Sequence, residues 1–245
     1  MSTPHGAPRA RPRSAELVVV VLVLAAIAGS VDTIGYLELG KIFVAHMSGN
    51  TAAAAADLAR GDVGATLHRA FPIVVFALAL VGGAALSTMI VRARLRSTHA
   101  VLFGFEAALL GAALVVHVAI SHGTIENGAA VALATAAMAM QSVAVARILD
   151  VPVLTTAITG ILIKFGERFV AELTSRERPP HERGSAMLFG GVWLSFFLGA
   201  AGGGVAAVHV GLRALVTPIV VLFVLVARDV QRPFGASPPG LGDAS

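Results

Sequence analysis

Stretches of about 20 residues with almost no Asp, Glu, Lys or Arg recur along the chain between short polar clusters, and that alternation decides what the chain can become. At 1.5 Å per residue such a run spans roughly 30 Å, the thickness of a hydrocarbon core. The runs cover residues 17–36, 70–91, 100–120, 129–149, 186–208 and 212–227. They predict an all-α polytopic membrane protein with six transmembrane helices. Composition agrees, because 56% of the 245 residues are hydrophobic and 13% are charged, roughly half the charged share of a soluble domain. The sixth run is the shortest and holds Pro218, which predicts a kink rather than a break. A secretory signal is a rival reading of the first run, since Arg11 and Arg13 precede an apolar stretch ending in Ala26-Ile27-Ala28.

Residues 1–14, rich in Pro, Ala and Arg, read as a disordered cytoplasmic tail, 15–228 as one transmembrane domain, and 229–245 as a second disordered tail. On the six-helix map, fourteen Lys and Arg fall on one side and four on the other, the four being Lys41, Arg60, Arg69 and Arg213. By the positive-inside rule both termini are cytoplasmic, and the protein belongs in the inner, or plasma, membrane of a bacterial-type cell. The net charge of +4 therefore sets orientation. The basic residues sit at the ends of apolar runs and form no stripe for nucleic acid.

Two connections, about 37–69 and 150–185, are longer than the rest and follow the first and fourth helices. Each opens on residues too apolar for an aqueous loop, Ile42-Phe43-Val44-Ala45 in one and Val151-Pro152-Val153-Leu154 in the other. Each then reaches small polar residues, His46-Met47-Ser48-Gly49-Asn50-Thr51 and Thr155-Thr156-Ala157-Ile158-Thr159-Gly160, and then a short helical segment, 52–59 or 161–173. A long helix, a broken or re-entrant segment and two more helices thus occur twice, over about 17–120 and 129–228. Three crossings is an odd number, so the second copy is inverted relative to the first, as in many secondary transporters. Broken segments must be buried or line a wet cavity, because the bilayer does not tolerate free backbone groups facing lipid. Helices starting near Asn50 and Gly160 would turn their N–H donors toward a shared polar centre. The plainer reading makes Ser-Gly and Thr-Gly ordinary surface turns.

With Gly29-Ser30-Val31-Asp32, Tyr36 and Phe43-Val44-Ala45-His46-Met47-Ser48-Gly49-Asn50-Thr51 in view, the chain resembles the DUF1275 family, also called the YoaK-like membrane proteins. In that family a Gly-x-x-Asp in the first helix precedes a Met-Thr-Gly-Asn element. The second half matches through Gln141, Arg147, Thr155-Thr156 and Thr159-Gly160, and the resemblance runs over about 17–228. Ser48, Ala139, Ser142 and Ile161 depart from the usual threonine, glycine, asparagine and threonine. The resemblance implies a membrane protein whose function is uncharacterised.

An ionised carboxylate at mid-membrane costs roughly 2.5–3.5 kcal/mol, so Asp32 in the first run reads either as a proton or cation site or as a group near the outer interface. His46, Ser48, Gly49, Asn50 and Thr51 offer imidazole, hydroxyl, amide and backbone groups to a polar solute or ion. Against this stand a solvated loop histidine and capping by Ser48 or Asn50. Gln141 either lines the same cavity or ties two helices together. Thr155, Thr156, Thr159 and Gly160 form the second half's contribution. Glu106 reads as an ion-pair partner of Arg92 or Arg96. Gly82, Gly83, Gly199, Gly202, Gly203 and Gly204 read as helix-packing positions, and 164–183 as an amphipathic interfacial helix.

No zinc-protease, phosphate-loop or dinucleotide motif is present, the chain has no cysteine, and no carboxylate pair argues for hydrolysis. The expectation is no enzyme, no cofactor and no metal. The leading reading is an ion-coupled or small-solute permease, and the rival is a non-transporting membrane scaffold or regulator. The partners expected are the lipid bilayer and a small polar solute or ion, with a homo-oligomer allowed and nucleic acid excluded.

Overall fold

In the computed structural model, residues 15–93, 97–119, 124–148, 158–174 and 185–234 are described. The expected tail 1–14, most of the tail 229–245, and Thr155 and Thr156 lie outside them. The described residues are helices and their connections: α1 (Ala15–Glu38), α2 (Met47–Ala59), α3 (Val63–Arg92), α4 (Thr98–Ala119), α5 (Thr124–Ile148), α6 (Ile158–Thr174), α7 (Ser185–Val210), a 3-10 turn (Gly211–Leu215) and α8 (Val216–Gln231). An apolar chain in lipid has no other way to satisfy its backbone groups within one segment. Five stretches, Ala15–Glu38, Val63–Arg92, Thr98–Ala119, Gly128–Arg147 and Ser185–Gln231, are long and apolar enough to cross a membrane, as an integral membrane protein requires.

The last of these reverses direction at Gly211, where φ is 61°, a value that favours glycine. Gly211 lies beside Glu38 at one end of α1, while Arg228 of α8 bonds Glu16 at the other. Hence α8 runs back along the bundle. Pro218 is the third residue of α8, directly after the 3-10 turn and near the helix start, where a residue without an N–H is tolerated, and the helix is not broken there. Helix α8 continues to Gln231 and Phe234 is buried. Asp229 fixes this corner, accepting the backbone N–H of Phe234 and of Ala100, both at 2.7 Å.

Helices α1 and α7 run parallel in the closest packing of the molecule. A Cβ on Gly199 would lie 2.0 Å from the Ala26 carbonyl oxygen, one on Gly29 2.1 Å from that of Phe196, and one on Gly203 2.5 Å from Ser30 Oγ. Only small residues allow such an approach, and dispersion between the backbones replaces the hydrophobic drive that lipid removes. Gly204 and Gly83 also pack against side chains, but Gly202 and Gly82 meet nothing within 4 Å, so the packing role expected for those two is not found.

Contacts in the two halves correspond. α1 packs on α7 as α5 packs on α3, and α2 lies on α3 as α6 lies on α7. The order of buried, half-buried and exposed residues over 20–35 recurs without a difference over 130–145. Between 72–89 of α3 and 192–209 of α7 it recurs with one difference, at 84 against 204. In this correspondence Ser30 matches Met140 and Gly83 matches Gly203, and the contacts match as well: Gly203 packs on Ser30, Gly83 on Met140.

Candidate functional site

After α1 the chain turns through Gly40 and Lys41, both at positive φ, and descends again beside the helix it has just left. Phe43 stacks on Tyr36 with ring centres 4.6 Å apart, Val44 lies against Gly35, and the Ala45 N–H reaches Asp32. Asp32 is six residues before Glu38, the end of α1, so the chain re-enters by about 9 Å at 1.5 Å per residue. This is why residues 42–45 are apolar: Ile42, Val44 and Ala45 are buried in the core. Helix α2 then starts at this depth and runs outward, its far end held where Arg69 bonds Asp57 at 2.7 Å and the Lys41 carbonyl at 3.0 Å.

Two polar side chains fix the descent. Asp32, 3% exposed, accepts the Ala45 N–H through Oδ1 and pairs with His46 Nδ1 through Oδ2, each at 2.7 Å. These bonds offset the cost of taking the side chain out of water. Asn50, fully buried, uses both ends of its amide on one residue: Oδ1 accepts the Phe43 N–H at 3.1 Å and Nδ2 donates to the Phe43 carbonyl at 2.6 Å. It does for Phe43 what a neighbouring strand would do. The His46 ring, half-buried, also meets the Phe196 ring edge-on, with centres 5.2 Å apart. Asp32, Phe43, His46, Asn50 and Phe196 thus form one locked cluster between α1, α2 and α7.

Several expectations are corrected at this point. Asp32 is buried within the protein rather than solvated, and His46 is no solvated loop residue. Helix α2 begins at Met47, not at residue 52, so Ser48, Gly49, Asn50 and Thr51 are its first turns. Its N-cap is His46, without a side-chain capping bond, so neither Ser48 nor Asn50 caps it. Likewise α6 begins at Ile158, and Thr159 and Gly160 lie in its first turn.

Not all the candidate residues converge. Gly49 belongs to the cluster, because a Cβ there would lie 3.0 Å from the Phe43 ring. Ser48 and Thr51 are exposed, and the Thr51 hydroxyl donates back to the Met47 carbonyl at 2.8 Å. Gln141, fully buried on α5, donates through Nε2 to the Leu24 carbonyl of α1, two turns from Asp32; it ties two helices together. Thr159 and Gly160 are exposed. Thr155 and Thr156 lie outside the described residues.

Phe43, Tyr36 and Phe196 escaped the sequence reading as members of the site. Phe43 had a signal, being a large aromatic in a connection too apolar for water. Phe196 had none, since its place depends on how α7 crosses α1. The pairing expected for Glu106 with Arg92 is not found: Glu106 is fully buried, and among the described residues neither of its oxygens has a hydrogen-bond partner, while Arg96, the other partner expected, lies outside the described residues.

Among the described residues no group of three or more His, Asp or Glu is placed to hold a metal ion. The model of a family described as "Protein of unknown function (DUF1275)" matches residues 20–228 of the chain. No curated protein and no solved structure matches it.

Proposed function

Because the chain belongs to the DUF1275 family, a family of unknown function, we propose from its geometry that it is a small-solute or ion-coupled permease of the inner (plasma) membrane. Its architecture in this reading is six crossings in two inverted three-helix units, with both termini cytoplasmic. The observation that carries the reading is the re-entrant segment: α2 starts inside the bundle, level with Asp32, after the chain has turned back beside α1. Irregular backbone at that depth is a feature of transporter sites, where it lines a cavity or is buried in protein. The matched burial orders of α1 with α5 and α3 with α7, and the exchanged glycine contacts, support the inverted halves. The reversal at Gly211 supports separate crossings by α7 and α8.

In this mechanism the Asp32–His46 pair is a latch. While it is closed, Asp32 and Asn50 are engaged by Ala45, His46 and Phe43. Release of the 41–46 segment would free carboxylate, imidazole and amide together, a donor and acceptor set for a small polar solute or a cation. Ser48, Thr51, Thr159, Gly160, Thr155, Thr156 and Gln141 remain proposed contributors along the path. No enzymatic activity is proposed, and the partners are lipid and solute, in a monomer or a homo-oligomer.

A second reading is a non-transporting membrane scaffold or regulator, in which Asp32 and Asn50 serve as braces that hold residues 43–46 against α1 and α2. Purified protein in liposomes, assayed with a panel of radiolabelled metabolites and ions, separates the two. The permease reading expects flux that Asp32→Asn abolishes. The scaffold reading expects no flux from any compound and function lost on deleting residues 174–183.

A further inference from the structure

Glu106 occupies the middle of the buried face of α4, among Leu102, Phe103, Ala107, Leu110 and Ala113. It is 0% exposed, and among the described residues both carboxylate oxygens lack a hydrogen-bond partner. On the neighbouring α5, Thr135 Oγ1 and Gln141 Oε1 are buried and unpartnered as well. Charged and titratable groups on the elements around α4 are His68, Arg69 and Arg92 of α3, Glu126 and Arg147 of α5, Arg213 of the 3-10 turn, and Arg228 and Asp229 of α8, with His99 and His117 on α4 itself. All lie toward the ends of their elements. Among the described residues none bonds Glu106, and Asp229 is engaged by Ala100 and Phe234.

An isolated ionised carboxylate is not sustained in such surroundings; it is paired, solvated or neutral. With no partner and no exposure, neutral is the form compatible with this arrangement. A leucine or glutamine would pack there without that constraint, so a carboxyl has a physical use only if another arrangement of α4 and α8 admits water to it. We propose that Glu106 is a proton-binding site, neutral as –COOH in this closed arrangement and releasing H⁺ as –COO⁻ when water reaches it, and that this exchange couples proton and solute movement. The coupling rests on the permease reading; the site does not. No other atom changes bonding and no electron is transferred.

Infrared spectra of the purified protein in lipid, recorded over a pH series, test the site. A protonated-carboxyl C=O band that fades as pH rises and is missing from Glu106→Gln is expected. A band that never titrates, or the absence of any band that Glu106→Gln removes, overturns the proposal. A measurement on wild-type protein avoids dependence on the variant's folding: a hydrophobic carbodiimide, which reacts with the protonated acid, should modify Glu106 more at low than at high pH by peptide mass spectrometry. Equal modification at both, or none, also counts against it.

Proteoliposomes with an entrapped pH dye test the coupling. Adding the metabolite panel should dissipate an imposed pH gradient in wild type, with loss of that response in Glu106→Gln. Flux that ignores both the gradient and Glu106→Gln sinks the coupling and leaves the permease standing. A titrating Glu106 without flux of any compound sinks the permease and leaves the proton site.

Discussion

Asn50 illustrates how a side chain that looks like a ligand can be an element of the backbone. Both ends of its amide meet Phe43, at 3.1 and 2.6 Å. Asn50→Asp keeps the acceptor and loses the donor, setting a carboxylate oxygen against the Phe43 carbonyl. A drop in stability of about 2–3 kcal/mol is expected, read as a lower unfolding midpoint in detergent. Ser48→Ala, two residues away and exposed, should stay within about 0.5 kcal/mol. Similar losses from both would mean that Asn50 is not the clamp. Polarity and spacing made Ser48, Asn50 and Thr51 equal candidates in the sequence. Which of them points inward depends on the phase of a helix whose start, at His46, carries no capping signal.

Helix α7 shows the same limit one level up. Four glycines crowd residues 199–204, and nothing in their order says which faces α1. Gly199 and Gly203 do, separated by one turn, while Gly202 faces open space. Gly199→Ala and Gly203→Ala push a methyl into backbone or a helix-borne side chain and should destabilise by about 1–3 kcal/mol. Gly202→Ala should be neutral or slightly stabilising, since alanine is the better helix former. Thermal unfolding of the three variants in one detergent checks this, and equal midpoints would contradict the parallel α1–α7 packing. Helix starts were misplaced for a related reason. Met47 and Ile158 lie inside the small-residue elements that look like breaks, because Ser, Gly and Thr are tolerated in a first turn whose N–H groups are free in any case.

Taken as a bundle, the chain has a polarity that can be tested directly. Basic Arg92, Arg147 and Arg228 lie at one end and the α2–α3 turn with Arg60 at the other. Cysteine is absent, so single cysteines report without interference. Under the proposed orientation, Arg60→Cys in intact cells should react with a membrane-impermeant maleimide, and Arg92→Cys only after lysis. Labelling of both from one side would refute the proposed topology. In the matched burial orders residue 32 corresponds to residue 142, so Ser142 holds on α5 the place that Asp32 holds on α1.

The chain's character as a bundle of membrane-length helices was written in its charge-free runs, because the bilayer imposes one length and one way of satisfying the backbone on any such segment. Its family was legible too, from short motifs that survive without knowledge of their contacts. Even the re-entrant stretch announced itself, as apolar residues where a water-exposed loop should be polar. The partners were not legible. That Asp32 holds Ala45 and His46, that Asn50 clamps Phe43, that Gln141 reaches Leu24 and that Glu106 has no hydrogen-bond partner among the described residues are facts of helix phase and crossing. Nearly uniform apolar sequence carries little record of which face turns inward, since lipid and protein interior present almost the same solvent.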